Sequence, residues 1–331
     1  MRIAKMRVPG GALGHFDMGW TDASAGRYYL ADQSNKSLDV FDTHENTFVK
    51  RIPGFVGFSG DDNTSGPDGV VSISRHEVWV GDGDSSVKVV DIPTGAVVDS
   101  ISTGGKARAD GLAYDPQDGL VVTANDADSP AFLTFISVPN HAVKGRILVA
   151  DATDGIKQTV YDDTTRLFYT AIPSTTSRPG GEIRVFDADL VLAGTKELYG
   201  CNPHGLTLGP AHQLLVGCNA STHVVIVDDT TLNVLADISQ AGGAEEVWYN
   251  PGDNQYYVAE NDQQGLAVID AGTMTFVGVA QSGLNAHSVA VDERLNHVFV
   301  PIAAPDLACP RGCIAVFATV TGDRAAIFRT P

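Results

Sequence analysis

Seven polar residues recur at a near-constant interval along the chain, and their types are those of acid–base and metal chemistry. Successive members lie 51, 42, 47, 47, 41 and 42 residues apart. Carboxylates and imidazoles transfer protons and bind cations, whereas a lysine ammonium stabilises negative charge. A fold that superposes these intervals would bring all seven side chains to one polar site. The seven are Asp17, Asp68, Asp110, Lys157, His204, Glu245 and His287.

Three consecutive members of this series, His204, Glu245 and His287, form a ligand set suited to a divalent cation such as Zn, Fe, Mn or Ca. His15, two residues before Asp17, is expected to supply a further imidazole. Glu246 becomes the ligand in place of its neighbour if the register shifts by one residue. In the alternative interpretation, the same side chains bond to backbone amides or ordered water and only hold the fold in register.

A cation at these ligands would polarise a substrate oxygen or lower the pKa of a bound water. Asp17 or Asp110 would then act as the general base, and Lys157 or Arg108 would stabilise the developing oxyanion. The residues therefore predict a metal-dependent hydrolase or lyase acting on a small molecule.

The elements that must position these residues are repeated β-hairpins. The stretches "YYLADQSNKSLDVFD" (28–42) and "LLVGCNASTHVVIVD" (214–228) each contain a β-rich run, a polar turn and a second β-rich run. Seven such units occur, each flanked by short apolar runs, which makes four strands per unit. Repeats of 40–50 residues are typical of a β-propeller.

The predicted fold class is therefore all-β, a seven-bladed β-propeller of four-stranded antiparallel blades, in one domain over residues 1–331. In six of the seven units the polar residue precedes a second fixed position by 15 residues; from Asp68 to Asp82 the interval is 14. Because inner strands line a propeller's central channel, all seven side chains should face one funnel. Either "RIAKMRV" near the N-terminus or "AAIFRT" near the C-terminus should complete the last blade, and "DADLVLAGTKELYG" should be a long connection.

Stretches such as "YLADQSNKSLDVFD" and "YYVAENDQQGLAVID" resemble the YVTN-type repeat of YncE-like and surface-layer propellers over nearly the whole chain. The resemblance implies a seven-bladed propeller from a superfamily that holds lactonases, lyases, electron-transfer partners and binding modules. It favours lactone or ester opening, or elimination. The alternative is a non-catalytic propeller that binds a protein, glycan or small molecule on its rim through the long loops 54–69, 177–182 and 303–313.

Charge and cysteine content limit the partners and the compartment. The formal net charge of −18 argues against binding nucleic acid or an anionic membrane through a broad basic surface. The start of the chain lacks the apolar core of a secretion signal, so the protein is expected to be cytoplasmic, or periplasmic or secreted if a signal was removed. The four cysteines predict disulfides or free thiols, with "CPRGC" (309–313) able to close a small loop.

Overall fold

The chain folds into seven four-stranded antiparallel sheets arranged in a ring, which confirms the predicted seven-bladed β-propeller. The computed structural model describes residues 1–219, 223–260 and 263–319. Helical structure within those residues is limited to one short 3-10 turn, Asp62–Thr64. None of the helical structure in this part of the chain is long and apolar enough to cross a membrane.

The strands follow one another from the axis outwards in blades one to six. Blade one contains β2 (Gly19–Asp22), β3 (Arg27–Asp32), β4 (Ser37–Asp42) and β5 (Thr47–Pro53). Blade two contains β6 (Val70–Ser74), β7 (Glu77–Asp82), β8 (Ser86–Asp91) and β9 (Ala96–Ser102). Blade three contains β10 (Leu112–Asp115), β11 (Leu120–Asn125), β12 (Ala131–Ser137) and β13 (Ala142–Val149). Blade four contains β14 (Thr159–Asp162), β15 (Leu167–Ile172), β16 (Glu182–Phe186) and β17 (Leu192–Glu197).

The remaining blades repeat this order, except that the seventh takes its outer strand from the N-terminus. Blade five contains β18 (Pro203–Leu208), β19 (Gln213–Cys218), β20 (Val224–Asp228) and β21 (Val234–Ile238). Blade six contains β22 (Ala244–Asn250), β23 (Gln255–Glu260), β24 (Gly265–Asp270) and β25 (Thr275–Gln281). Blade seven contains β26 (Ala290–Asp292), β27 (His297–Ile302), β28 (Cys313–Ala318) and β1 (Arg2–Arg7).

The N-terminal strand closes the ring. β1 pairs with β28, and Met6 lies opposite Ile314 in their register. "RIAKMRV" therefore supplies the outer strand of the last blade, whereas "AAIFRT" lies outside the described residues. The expectation of a long connection in "DADLVLAGTKELYG" is wrong, because this segment contains β17, the outer strand of blade four.

Burial within a blade explains the sequence patterns. The second strands are buried on both faces, as in β11, β19 and β23, and apolar residues accordingly predominate in them. The outer strands alternate between exposed and partly buried residues, as β13 does along its length. Apolar clusters fill the spaces between neighbouring blades, and the one between blades seven and one includes Phe299, Val316, Tyr28 and Leu30.

A β-bulge at the start of each of the first four blades explains the fixed spacing. In blade one the Asp17 amide donates to Ala31 O at 3.0 Å, while the Ala31 amide donates to Met18 O at 3.1 Å. Two residues of the inner strand therefore oppose one residue of the next. The same pattern recurs at Asp68, Asp110 and Lys157, and register shifts flank His204 and Glu245. A β-bulge changes the direction in which a side chain points, and these bulges occur at residues of the recurring polar series.

All four cysteines form disulfides, whereas the sequence left both disulfides and free thiols open. Cys309 pairs with Cys313, closing the small "CPRGC" loop. Cys201 pairs with Cys218 and joins the segment before β18 to the end of β19. The second bridge lies beside the bulge that carries His204.

Candidate functional site

A cavity of about 760 Å³ lies where the inner strands meet, and it collects most of the predicted site residues. All eight candidate catalytic and metal-binding residues line it: Asp17, Asp110, Lys157, Arg108, His204, Glu245, His287 and His15. The predicted convergence of residues from distant parts of the sequence is therefore present in the fold. Asp68 differs from the rest of the series, because it does not line the cavity and is fully buried.

Arg108 connects four carboxyl groups from three blades. Its guanidinium lies 2.8 Å from Asp110 and 3.2 Å from Asp126. It lies 3.5 Å from Asp17 and 3.6 Å from Asp68. The arginine side chain is 13% exposed, so these ion pairs are largely removed from water. A planar guanidinium with five donors can serve several carboxylates at once, which a lysine cannot do in the same way.

Asp68 is a buried carboxyl behind the cavity wall. Gln33 Nε2 donates to its Oδ1 at 3.0 Å, while Oδ2 faces no hydrogen-bond donor. Burial raises the pKa of Asp68 well above its usual range, and the nearby carboxyls of Asp17 and Asp110 raise it further against the opposing effect of Arg108. The neutral form of Asp68 is therefore favoured in the folded protein.

The raised pKa of Asp68 predicts that Asp68→Asn stabilises the protein at alkaline pH. Stability from the neutral carboxyl is fully present below its unfolded pKa and is lost as the pH rises through the higher folded pKa. An asparagine stays neutral, so the free energy of unfolding of the variant should exceed that of wild type by about 1–3 kcal/mol at pH 8. This difference should disappear towards pH 4. Urea denaturation at both pH values measures this, with the exposed Asp163→Asn as the control. A variant less stable than wild type at pH 8 would contradict the prediction.

Asp110 and Asp126 form a carboxyl pair between two cations. Burial raises the pKa of Asp110 to about 7, with Asp126 and Asp17 raising it further against the effect of Arg108. Burial alone would raise the pKa of Asp126, but Arg108 and Lys157 outweigh it and keep this pKa low. Lys157 Nζ lies 3.4 Å from Asp126 Oδ2. One carboxyl of the pair thus exchanges its proton near neutral pH while the other stays ionised.

The two histidines of the predicted metal set are held in different ways. His287 Nδ1 donates to the carbonyl of Asn285 at 3.0 Å, which leaves a lone pair on Nε2, as a metal-binding imidazole requires. His204 Nδ1 instead accepts from Asn219 Nδ2 at 2.9 Å, so its Nε2 carries the proton. Burial, assisted by Lys157, lowers the pKa of His204 to about 3 and keeps the ring neutral.

The four predicted ligands do not fit a metal ion as the structure arranges them. Within residues 1–219, 223–260 and 263–319, the ligand atoms of His204, Glu245, His287 and His15 do not form a group within 4.8 Å of one another. His204 also presents a protonated nitrogen. Glu246, the alternative ligand, accepts from Ser288 Oγ at 2.7 Å, and burial raises its pKa well above the usual range. A bound cation remains a prediction.

The long loop 54–69 forms one wall of the cavity. Phe58 stacks on His15 with the ring centroids 3.5 Å apart. The Arg108 amide donates to Asn63 O at 2.8 Å, which ties the loop to blade three. Gly60, Asp61, Asp62 and Asn63 of this loop also line the cavity. The loop therefore contributes an aromatic surface and further carboxyls to a mostly polar site.

Sequence reasoning missed Asp126 and Gln33. Each directly follows the second fixed position of its repeat, after Asn125 and Asp32 respectively, and each lines the cavity. The residue after each second fixed position is therefore a signal in the sequence that could have identified both. The fixed positions themselves have structural roles: Asn125 Nδ2 donates to Thr103 Oγ1, and Asp32 accepts from the Asn35 amide.

Comparison with known proteins supports the fold alone. No family model matches the chain, and no curated protein matches its sequence, so the YVTN-type resemblance stays a prediction. The chain is similar to a solved structure titled "Kuenenia stuttgartiensis Hydrazine Synthase", with a TM-score of 0.76, 13% identity, and coverage of 95% of this chain and 98% of the other. It is also similar to a chain of "Crystal Structure of Mitotic Checkpoint Complex", with a TM-score of 0.75, 10% identity, and coverage of 96% and 92%.

Proposed function

We propose that this propeller is an enzyme that acts on a small polar molecule in its axial cavity, either opening an ester or lactone or performing an elimination. One observation carries the proposal: the carboxyl pair Asp110 and Asp126 lies between the cations Arg108 and Lys157 in the cavity wall. A cavity of about 760 Å³ is large enough for a small molecule. Ionisable groups with strongly perturbed pKa values in such a cavity mark a candidate active site.

Asp110 is the proposed general base. It would take a proton from an attacking water in hydrolysis, or from a substrate carbon in elimination. A base is most effective when its pKa lies near the working pH, and the pKa of Asp110 is raised to about 7. Asp126, kept ionised by its two cations, would stabilise the positive charge around the base rather than exchange the proton itself.

Lys157 is the proposed stabiliser of developing negative charge. Of the two cations predicted for this role, Arg108 already contacts four carboxyl groups and also donates to Asp62 O at 3.3 Å. Lys157 forms one ion pair within the part of the chain that the structure describes, with Asp126 at 3.4 Å, and its ammonium has three protons. It therefore retains donors for a substrate oxygen, whereas Arg108 holds the carboxyls in place.

His204 is the proposed orienting donor. Its ring stays neutral because the pKa is about 3, and the contact with Asn219 leaves the proton on Nε2. It can therefore donate a hydrogen bond to a substrate oxygen without adding charge. His287, with the opposite tautomer, offers an acceptor across the same cavity.

A non-catalytic propeller that binds a partner on its rim is the second candidate. Leu307 favours it, because this apolar side chain is fully exposed in the loop 303–313. The Cys309–Cys313 disulfide closes the end of that loop. An exposed leucine on a disulfide-closed loop is suited to an apolar contact with another protein.

Lys157→Met tests the enzymatic proposal. Wild-type protein is first assayed against a panel of small lactones and esters by acid release at pH 8, and we expect turnover of at least one. Removing the ammonium should then lower kcat by about 10²–10³-fold, the effect of losing one stabilising donor for an oxyanion. Lys144→Met, which changes a lysine on the outer strand β13, should leave kcat unchanged. Turnover that survives Lys157→Met would overturn this assignment, and saturable binding without turnover would favour the rim-binding candidate.

A further inference from the structure

Three metal-ligating side chains lie together at one end of blade five, among residues that do not line the axial cavity. Cys201 precedes β18, Cys218 ends β19, and His223 directly precedes β20. Their two sulfurs and an imidazole nitrogen all lie within 4.8 Å of one another. Among the residues that the structure describes, they form the one such group of three or more potential ligands. Both cysteines are fully buried and disulfide-bonded, and His223 is partly buried.

We propose that reduction of the Cys201–Cys218 disulfide converts this cluster into a site for a thiophilic metal ion, with Zn²⁺ as the representative. The disulfide takes two electrons and two protons from a dithiol reductant, which is oxidised to its own cyclic disulfide. The S–S bond breaks and two thiols form. Metal binding then displaces the two thiol protons to solvent, so that two thiolates and the neutral His223 imidazole coordinate the ion.

The spacing of the three groups suits this chemistry. Zinc–sulfur bonds of about 2.3 Å place two thiolates of a tetrahedral site about 3.8 Å apart. Sulfurs released from a disulfide need to separate only to that distance, and the imidazole is already beside them. Two cysteines and one histidine are a known zinc ligand set that leaves a fourth position open. Burial favours metal binding further, because the ion neutralises thiolates that would otherwise be costly to remove from water.

The second disulfide provides an internal contrast. Cys309 and Cys313 belong to no group of three metal-ligating side chains within the described residues. Reduction of that bridge is therefore expected to give thiols without a metal site. The two bridges are expected to differ in metal binding because His223 lies beside only the Cys201–Cys218 bridge.

The proposed metal site lies next to the axial cavity. Cys218 is followed by Asn219, whose amide contacts His204 at 2.9 Å. Pro203, the residue before His204, pairs with Cys218 in the sheet register. Exchange of the disulfide for a metal thus acts on the segment that holds His204. The metal site itself does not depend on the function proposed for the cavity.

Metal titration of the reduced full-length chain tests the proposal. In a Cys309→Ser/Cys313→Ser background, protein is reduced with dithiothreitol, freed of the reductant under nitrogen, and titrated with Zn²⁺ in competition with a chromophoric chelator. We expect one tightly bound Zn²⁺ per reduced chain and none per oxidised chain. Co²⁺ in place of Zn²⁺ should give a thiolate charge-transfer band. Circular dichroism before and after reduction reports whether the blades stay folded.

His223→Ala separates the proposed site from chelation by two thiols alone. It leaves the disulfide intact, and it should weaken Zn²⁺ binding by at least about tenfold, the effect of losing even an outer partner of a ligand. His212→Ala, in the same blade and outside the cluster, is the matched control and should bind as the parent does. Equal affinity in the two variants, no Zn²⁺ on the reduced chain, or unfolding on reduction would each overturn the proposal.

Discussion

Arg108→Met is expected to lower the free energy of unfolding by about 3–5 kcal/mol at pH 7, the range found when one partner of a buried ion pair is removed. Arg108 is the shared cation of four carboxyl groups at distances of 2.8–3.6 Å. Methionine fills a similar length of side chain but leaves those groups without their main positive charge. Urea denaturation of the variant and of wild type measures the difference.

Two comparisons distinguish this effect from a general loss of charge. Arg166→Met removes an exposed arginine that pairs with Asp118, and an exposed pair of this kind contributes little to stability. The deficit of Arg108→Met should also shrink at pH 5, because Asp110, whose pKa is raised to about 7, is protonated there and no longer needs the positive charge of Arg108. Equal losses in the two arginine variants would contradict the role assigned to Arg108.

Asp110→Asn is expected to lower kcat/KM by about 10²–10⁴-fold, the contribution typical of a positioned general base. Asparagine keeps the shape of the side chain and can still contact Arg108, but it cannot accept the proton. The wild-type rate should fall as the pH drops through about 7, because the base must be ionised to act and its pKa is raised to about 7. The residual rate of the variant should lack that dependence.

Asp68→Asn is the matched control for this experiment. Both carboxyls contact Arg108, but only Asp110 lines the cavity. The control should keep most of the wild-type activity together with its pH profile. If both substitutions reduce the rate equally, the loss reflects disturbance of the ion-pair cluster and Asp110 is not the base.

The fold could be predicted from the sequence because the repeat is visible in it. A 15-residue interval recurs because a bulge and a hairpin of nearly constant length follow each polar residue, as at Asp17 and Asp110. The sequence could not predict which terminus supplies the outer strand of blade seven, because both termini carry similar β-rich segments. Only the pairing with β28 identifies it. The outer strand β17 was missed because exposed outer strands carry a weak apolar signal.

The site was predictable in its composition and less so in its interactions. One residue per repeat identifies the cavity lining, since blade geometry carries equivalent positions to the axis. Tautomers depend on neighbours such as Asn219 and Asn285, which no repeat pattern reveals. The shared role of Arg108 likewise appears only when three blades are assembled around it. Asp68 shows the limit of the pattern, because an equivalent position in the repeat lies behind the wall.

One polar side chain from most blades reaches a common cavity, and we propose that a small molecule reacts there. A crystal structure of the Asp110→Asn variant, soaked with a compound that the wild-type protein turns over, tests this proposal. We expect density for that compound within the axial cavity, with an oxygen in hydrogen-bond contact with Lys157 Nζ. Density confined to the outer loops, with the cavity free of the compound at saturating concentration, would contradict it.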